Sequence, residues 1–181
     1  MHGLIGLYSS AAQSGKSSVA RYLEYGYGYT VEPFAHTLKA MTATFLISLG
    51  YTAEQAYTML TAAKDTKLPA LGVDVRHVLR TLGTEWGRDC IHPEVWLRCW
   101  EGRLNADRLT VVDDVRFLNE AEAVRRHGGI MVRVVRPGFD ADAQHRSEGG
   151  LDAYEGFDHV IYNDGSLEEL RHTVDDVLGQ K

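Results

Sequence analysis

The sequence predicts an α/β fold: a three-layer α/β/α sandwich on a five-stranded, mainly parallel sheet. Three observations carry this. Short apolar runs alternate with stretches of helical period at both ends of the chain. The first run ends in a small, polar, glycine-containing loop that opens a helix. The middle third breaks the alternation and reads as a helical insertion. At 181 residues the chain is expected to form a single domain, 1–181, with residues 35–105 as the helical region.

Leu4-Ile5-Gly6-Leu7-Tyr8 is a buried strand, and the loop of residues 9–15 leads into a helix from Lys16 to about Tyr25, broken by Gly26 and Gly28. Residues 29–34, aromatic and β-branched, form a second extended segment and complete a β-α-β unit. Leu38, Met41, Phe45 and Leu49 recur at helical spacing over 36–50. Thr52 and Gln55 make a capping-box pattern that opens a helix toward Ala63. Residues 64–73 read as a mobile connection. Val75, Val78, Leu79 and Leu82 mark a helix ending near Gly83, and 95–104 is helical after Pro93. The alternation then resumes with a strand at 109–113, a helix at 118–127 stopped by Gly128-Gly129, and a valine-rich strand at 130–135. A polar, glycine-containing stretch covers 137–156. A last strand lies at 159–162, and Ser166 with Glu169 caps a closing helix through Leu178.

The composition, 44% hydrophobic and 24% charged with four prolines, excludes disordered and collagenous classes. The formal charge of −6 disfavours broad attraction to DNA or anionic membranes, so DNA is an unexpected partner. No apolar run approaches the ~20 residues that cross a bilayer, and no basic-then-apolar leader is present, which predicts a cytoplasmic protein with no membrane partner. Cys90 and Cys99 form no Cys-x-x-Cys pattern, and the eight histidines include no pair at three- or four-residue spacing. This argues against a disulfide framework or a zinc site.

The chemistry starts at residues 10–17, Ser-Ala-Ala-Gln-Ser-Gly-Lys-Ser, which match the phosphate-loop pattern Gly-x-x-x-x-Gly-Lys-Ser/Thr except at Ser10. Such a loop cradles phosphate with backbone N–H groups at a helix N-terminus. Its Lys neutralises the terminal phosphates and its hydroxyl holds Mg²⁺. The candidate ATP-binding set is therefore Ser10, Ala12, Gln13, Ser14, Gly15, Lys16, Ser17 and Ser18. Asp113 and Asp114 end a buried strand, where open parallel sheets bind ligands. Asp113 is the first choice as metal ligand with Ser17, and Asp114 stands close behind. Arg76, Arg80, Arg88, Arg116, Arg136 and Arg146 offer forks that match phosphate oxygens. Trp86, Trp96 and Trp100 read as core packing, and Tyr25, Tyr27 and Tyr29 as the lining of the entry to the second strand.

Several segments together resemble the phage-type deoxynucleoside monophosphate kinases, a branch of the P-loop kinases. They are residues 34–39 (Phe-Ala-His-Thr-Leu-Lys), Arg76 to Leu79 with Leu82-Gly83-Thr84-Glu85, Arg88 followed by Trp96, and Asp113-Asp114-Val115-Arg116-Phe117 with Asn119-Glu120. Residues 134–138 (Val-Val-Arg-Pro-Gly), His145 with Ser147-Glu148, and residues 163–170 (Asn-Asp-Gly-Ser-Leu-Glu-Glu-Leu) continue the series in order. The resemblance implies a P-loop kinase fold with a helical acceptor-binding insertion and a short lid-like segment at 137–157. It implies ATP as phosphoryl donor and Mg²⁺ as cofactor, with small nucleotides as partners. Lys39, Arg76, Arg80, Arg88 and Arg116 are the implied acceptor contacts. Arg136, His145 and Arg146 are implied for the lid, and Asn163 for the neighbourhood of the donor base. Ser10 and Ser17 depart from the Gly and Asp of many relatives. A homodimer is compatible with the sequence, and a phage-encoded enzyme would work in its host's cytoplasm.

The mechanism this implies is direct, Mg²⁺-assisted transfer to an acceptor phosphate that is already anionic, needing no general base. Lys16, Arg116, Arg136, Asp113 and Asp114 are then the catalytic candidates. Two alternatives stay open. One is a kinase of a hydroxyl acceptor, a hydroxymethyl pyrimidine in DNA or dephospho-coenzyme A, for which Asp114 would serve as base. The other is a nucleotide-dependent switch, weakened by the lack of an Asn-Lys-x-Asp guanine-reading segment.

Overall fold

The structure is a computed structural model that describes residues 2–11, 13–138 and 150–179. It separates into two compact units, Met1–Pro33 with Leu104–Lys181, and Phe34–Arg103. In chain order the elements are β1 (Leu4–Tyr8), α1 (Lys16–Tyr27), β2 (Thr30–Val31), α2 (His36–Ser48), α3 (Ala53–Thr61), β3 (Lys67–Leu68), β4 (Val73–Asp74) and α4 (Val75–Arg80). A π-helical stretch (Thr81–Ile91), α5 (Val95–Glu101), β5 (Thr110–Val112), α6 (Leu118–Arg126), β6 (Ile130–Val135), β7 (His159–Tyr162) and α7 (Leu167–Leu178) follow.

The first unit is a five-stranded sheet in the order β2-β5-β1-β6-β7, every neighbouring pair parallel. Parallel strands are covered on both faces, and the central β1 is buried along its whole length. The two-residue period of β1 sorts its side chains. Ile5 and Leu7 join Val19 and Leu23 of α1 and Val174 and Leu178 of α7 in one core cluster. On the opposite face a Cβ at Gly6 would lie 2.7 Å from Met131 Sδ and 3.2 Å from Val124 of α6, so the missing side chain lets that layer approach. This is the three-layer α/β/α arrangement. The connection after β1 leads to β2 on one side, whereas the connection after β5 leads to β6 on the other. The loops at the carboxyl ends of these two adjacent strands therefore diverge and leave a crevice.

Strand β5 covers Thr110–Val112 within the expected 109–113 and α6 ends at Arg126, one residue early, and two further boundaries differ more. Gly26 does not break α1, which runs on to Tyr27 and ends at Gly28, whose φ of 74° lets its N–H turn back to Glu24 O. The second strand is only Thr30–Val31, because β2 is an edge strand whose register with β5 covers those two residues. Of the tyrosines, Tyr29 is buried and donates to His2 O, Tyr25 is exposed, and Tyr27 donates to Asp175 of α7 at 2.5 Å.

The second unit is mainly helical. Its core gathers Leu46, Ala56, Leu60, Leu68 and Val75. The capping box at Thr52 and Gln55 is formed, with N–H···O distances of 2.8 and 3.2 Å. Two expectations are corrected. Residues 64–73 are not a bare connection: β3 and β4 pair as a short antiparallel ladder, Leu68 is buried, and Lys67 bridges Asp74 at 2.9 Å. The helix from Val75 does not stop at Gly83 but widens into the π-helical stretch to Ile91. Gly83 and Gly87 serve as close-packing positions rather than stops. Gly83 O accepts Trp96 Nε1–H at 2.7 Å, and a Cβ on Gly87 would meet the Trp96 ring at 2.5 Å. Trp96 and Trp100 are core residues, whereas Trp86 is 43% exposed beside an open apolar groove of about 560 Å³ with Met41, Phe45 and Leu82.

Candidate active site

The crevice end of the first unit carries the loop of residues 9–15. Ala11 N–H donates to Ser9 Oγ, Gln13 takes a left-handed φ of 58°, and Gly15 takes φ 103° as the residue before α1. A non-glycine residue in that region carries local strain of about 1 kcal/mol or more, which surrounding contacts must hold. Ser10 keeps an ordinary φ, so the glycine of the usual pattern is not needed there for conformation. Helix α1 opens with no side-chain cap and no acidic residue in its first turn. The positive end of its dipole therefore favours an anion at this loop. Lys16 is half-buried and its Nζ reaches back to Ser9 O at 3.5 Å, folded along the loop. Ser17 is exposed, and Ser18 is half-buried. Ser14 is 1% exposed, and its Oγ has no hydrogen-bond partner among the described residues.

Two residues from the far half of the chain reach this loop. Arg136, just past β6, donates to Gln13 O at 3.1 Å, and Asn163, just past β7, donates to Ser14 O at 2.9 Å. Both were singled out from the sequence, but for other duties.

On the neighbouring strand, Asp113 and Asp114 follow β5 directly, both half-buried, and Arg116 is exposed two residues on. A residue that the sequence reading left outside the site, Glu120, fixes this turn. The residue is 4% exposed, and its carboxylate accepts Arg116 N–H at 2.8 Å and Phe117 N–H at 3.2 Å. The arrangement is half a capping box, because Phe117 at the cap position has no side-chain acceptor; that is why the Ser/Thr-x-x-Glu signature does not reveal it. Gly150 seals the turn from the other side, since a Cβ there would sit 2.6 Å from Arg116 O. Leu151 is buried, and Asp152 accepts the Tyr8 hydroxyl at 2.9 Å and pairs with Arg133 at 3.2 Å. Burial, then the bond to Asp152, pushes the Tyr8 phenol up to about 12.

The oxygen set of Ser17 and Asp113 suits Mg²⁺, a hard cation that uses one or two protein oxygens and takes the rest of its shell from phosphates and water. Among the described residues no group of three or more His, Cys, Asp or Glu is placed to hold a metal.

The remaining candidates lie in the second unit. Arg76 makes a two-pronged pair with Asp65, Nε to Oδ1 at 2.8 Å and NH2 to Oδ2 at 3.0 Å, both side chains well exposed. That contact with the guanidinium holds the Asp65 carboxyl below its usual range. Arg80 is exposed, with NH2 3.4 Å from His77 Nδ1. Lys39 on α2 and Arg88 on the π-helical stretch are half-buried. Ala12, His145 and Arg146 lie outside the described residues.

Fold and site together define an α/β protein of the phosphate-loop kinase type. Its fold is similar to that of a solved dephospho-CoA kinase from Campylobacter jejuni, with a TM-score of 0.50 over 98% of this chain and 96% of that one at 14% identity. The chain belongs to the deoxynucleotide monophosphate kinase family, whose model matches residues 34–174. It is 32% identical to a putative deoxynucleotide monophosphate kinase of Acanthamoeba polyphaga mimivirus, over 92% of this chain and 91% of that protein. It is also 33% identical to the deoxynucleotide monophosphate kinases of Escherichia phage RB69 and Enterobacteria phage T4. Each of those two alignments covers 58% of this chain, and 44% and 45% of the respective phage proteins. The protein is thus an enzyme of the kinase class, and no helix among its described residues is long and apolar enough to cross a membrane.

Proposed function

We propose that the protein transfers the γ-phosphoryl group of ATP to the phosphate of a free deoxynucleoside monophosphate, giving ADP and the deoxynucleoside diphosphate. The observation that carries this reading is the loop of residues 9–15. It sits at the carboxyl end of the central strand, with Gly15 left-handed before an uncapped helix, in a chain of this family.

Backbone N–H groups of the loop and of the first turn of α1 bind the donor phosphates, and Lys16 supplies a positive charge against the oxygens that gain charge during transfer. Ser17 and Asp113 hold Mg²⁺, which when bound neutralises charge on the donor's phosphates. Asp114, the next residue, adds a second carboxylate beside Asp113. Arg116, on the turn fixed by Glu120, contacts the acceptor phosphate, and Lys39, Arg76, Arg80 and Arg88 belong to acceptor binding. Arg76 must exchange Asp65 for a phosphate to take that part, a swap between two bidentate partners of similar geometry. The acceptor phosphate is anionic at neutral pH, so no residue need remove a proton, and positioning with charge neutralisation supplies the catalysis.

The test is a coupled ADP-release assay over a panel of deoxynucleoside monophosphates, with and without Mg²⁺. At least one monophosphate should stimulate ADP release well above the ATPase background, and chelation of Mg²⁺ should abolish it. ADP release that no mononucleotide stimulates would refute the assignment.

A further inference from the structure

We propose that Asn163 and Arg136 are positioning residues for the phosphate loop, each holding one of two consecutive peptide planes, and that Asn163 acts on the loop rather than on the donor's base. The inference rests on the phosphate-loop reading above and adds to it how the cradle keeps its shape.

Asn163 is itself well anchored. Its backbone N–H donates to Val135 O at 2.7 Å, continuing the β6–β7 pairing one residue beyond Tyr162. From there Nδ2 donates to Ser14 O, 149 positions away in sequence. Only the NH₂ end of the amide can face a carbonyl oxygen, which settles its orientation. The same amide fills the space beside Gly15, where a Cβ would lie 2.5 Å from Nδ2 and 3.3 Å from Cγ. Gly15 is therefore required twice over, by its φ of 103° and by Asn163.

Arg136 holds the preceding carbonyl, Gln13 O. A trans peptide unit is planar, so the direction of one C=O fixes the opposite direction of the next N–H. Holding Gln13 O and Ser14 O thus aims the N–H groups of Ser14 and Gly15 away from the ends of β6 and β7. Neither of these N–H groups donates to another described residue, and Ser14 Oγ is likewise unpartnered. Successive N–H groups in a loop whose φ changes hand make a concavity for an anion, and the strained Gln13 needs outside contacts to stay in place. Asn163 and Arg136 are those contacts.

A loop clamp and a base reader differ in one measurable respect. Inorganic tripolyphosphate has the phosphates of ATP and no base, so its binding responds to the cradle alone. Calorimetric titrations of tripolyphosphate, ATP and GTP into wild type, Asn163→Ala and Asn163→Asp decide the matter. Asn163→Asp sets a carboxylate oxygen against Ser14 O and removes the donor. We expect affinity for all three ligands to fall by a common factor of about ten or more, with the ATP-to-GTP ratio unchanged. Gly15→Ala should cause a similar loss, and the double variant Gly15→Ala/Asn163→Ala should be less than additive, because removing the amide relieves the clash. This cycle still decides if Asn163→Asp does not fold. Unchanged tripolyphosphate binding in the Asn163 variants, with ATP weakened and its preference over GTP lost, would overturn the clamp in favour of base reading. Equal binding of every ligand by wild type and variants would also overturn it, leaving the phosphate loop intact. Failure of wild type to bind tripolyphosphate or ATP would instead refute the phosphate-loop reading, and the clamp with it.

Discussion

In the sheet unit, the loop after β1 and the turn after β5 are held through their main chains. Gln13 O and Ser14 O are bonded by side chains from beyond β6 and β7, and the N–H groups of Arg116 and Phe117 by the buried Glu120. In the helical unit, the candidate Arg76 and Arg80 stand on exposed helix surface, paired with Asp65 and placed beside His77. Exposed pairs of that kind are worth about 1 kcal/mol or less and exchange partners readily. The contrast separates two ways of meeting a phosphate: a rigid cradle of backbone N–H groups, and long side chains able to trade one anion for another.

The largest effect should come from the cradle. Lys16→Ala should lower turnover by about a hundredfold to a thousandfold, while the melting temperature changes little because Lys16 is outside the core clusters. Near-normal turnover in the folded variant would break the comparison on its stronger side. In the helical unit the vulnerable position is a glycine rather than an arginine. Gly87→Ala drives a methyl group into the Trp96 ring and should destabilise by about 1–3 kcal/mol in urea denaturation, with ATP affinity at its wild-type value. A fall in ATP affinity in folded Gly87→Ala would show that the two units are not separable in this way.

A subtler variant addresses the exchange directly. Asp65→Asn releases Arg76 from its pair, so the acceptor KM should fall by about two- to fivefold if Arg76 serves the acceptor, with stability changed by less than about 1 kcal/mol. An unchanged acceptor KM would remove Arg76 from the site. A further effect belongs to pH. The Tyr8 phenol, raised from 10.0 to about 12, keeps in the native state a proton that the unfolded chain has already lost at pH 11. Its contribution is complete below pH 10 and is lost as pH rises toward 12. Tyr8→Phe should flatten the fall in stability over that window, and denaturation curves at pH 9, 10 and 11 would detect it.

What was legible in the sequence follows the same divide. The apolar run of β1, the Gly15-Lys16 pair and the two capping boxes at Thr52 and Ser166 are local features, and each appears where its spacing predicts. The π-helical stretch was hidden because Gly83 resembles a helix stop until Trp96 is seen bonded to its carbonyl and packed on Gly87. The β3–β4 hairpin was hidden because its two-residue strands carry no period, and its stability depends on burying Leu68. Glu120 was hidden by a phenylalanine in the capping position. Asn163 stood out in the sequence, yet its bond to Ser14 spans 149 positions, a pairing no local pattern encodes.

The central claim is that the acceptor is a free deoxynucleoside monophosphate and that polymeric DNA is a poor substrate. It is tested most directly by identifying, by mass, the products formed from ATP with each common and hydroxymethylated deoxynucleoside monophosphate, and with DNA carrying the same bases. We predict deoxynucleoside diphosphates from one or more of the free nucleotides and little or no phosphorylated DNA, in keeping with a net charge of −6 that offers a polyanion no general attraction. Phosphorylated DNA with no product from any free mononucleotide would contradict the account and point to a kinase of hydroxyl groups on DNA bases.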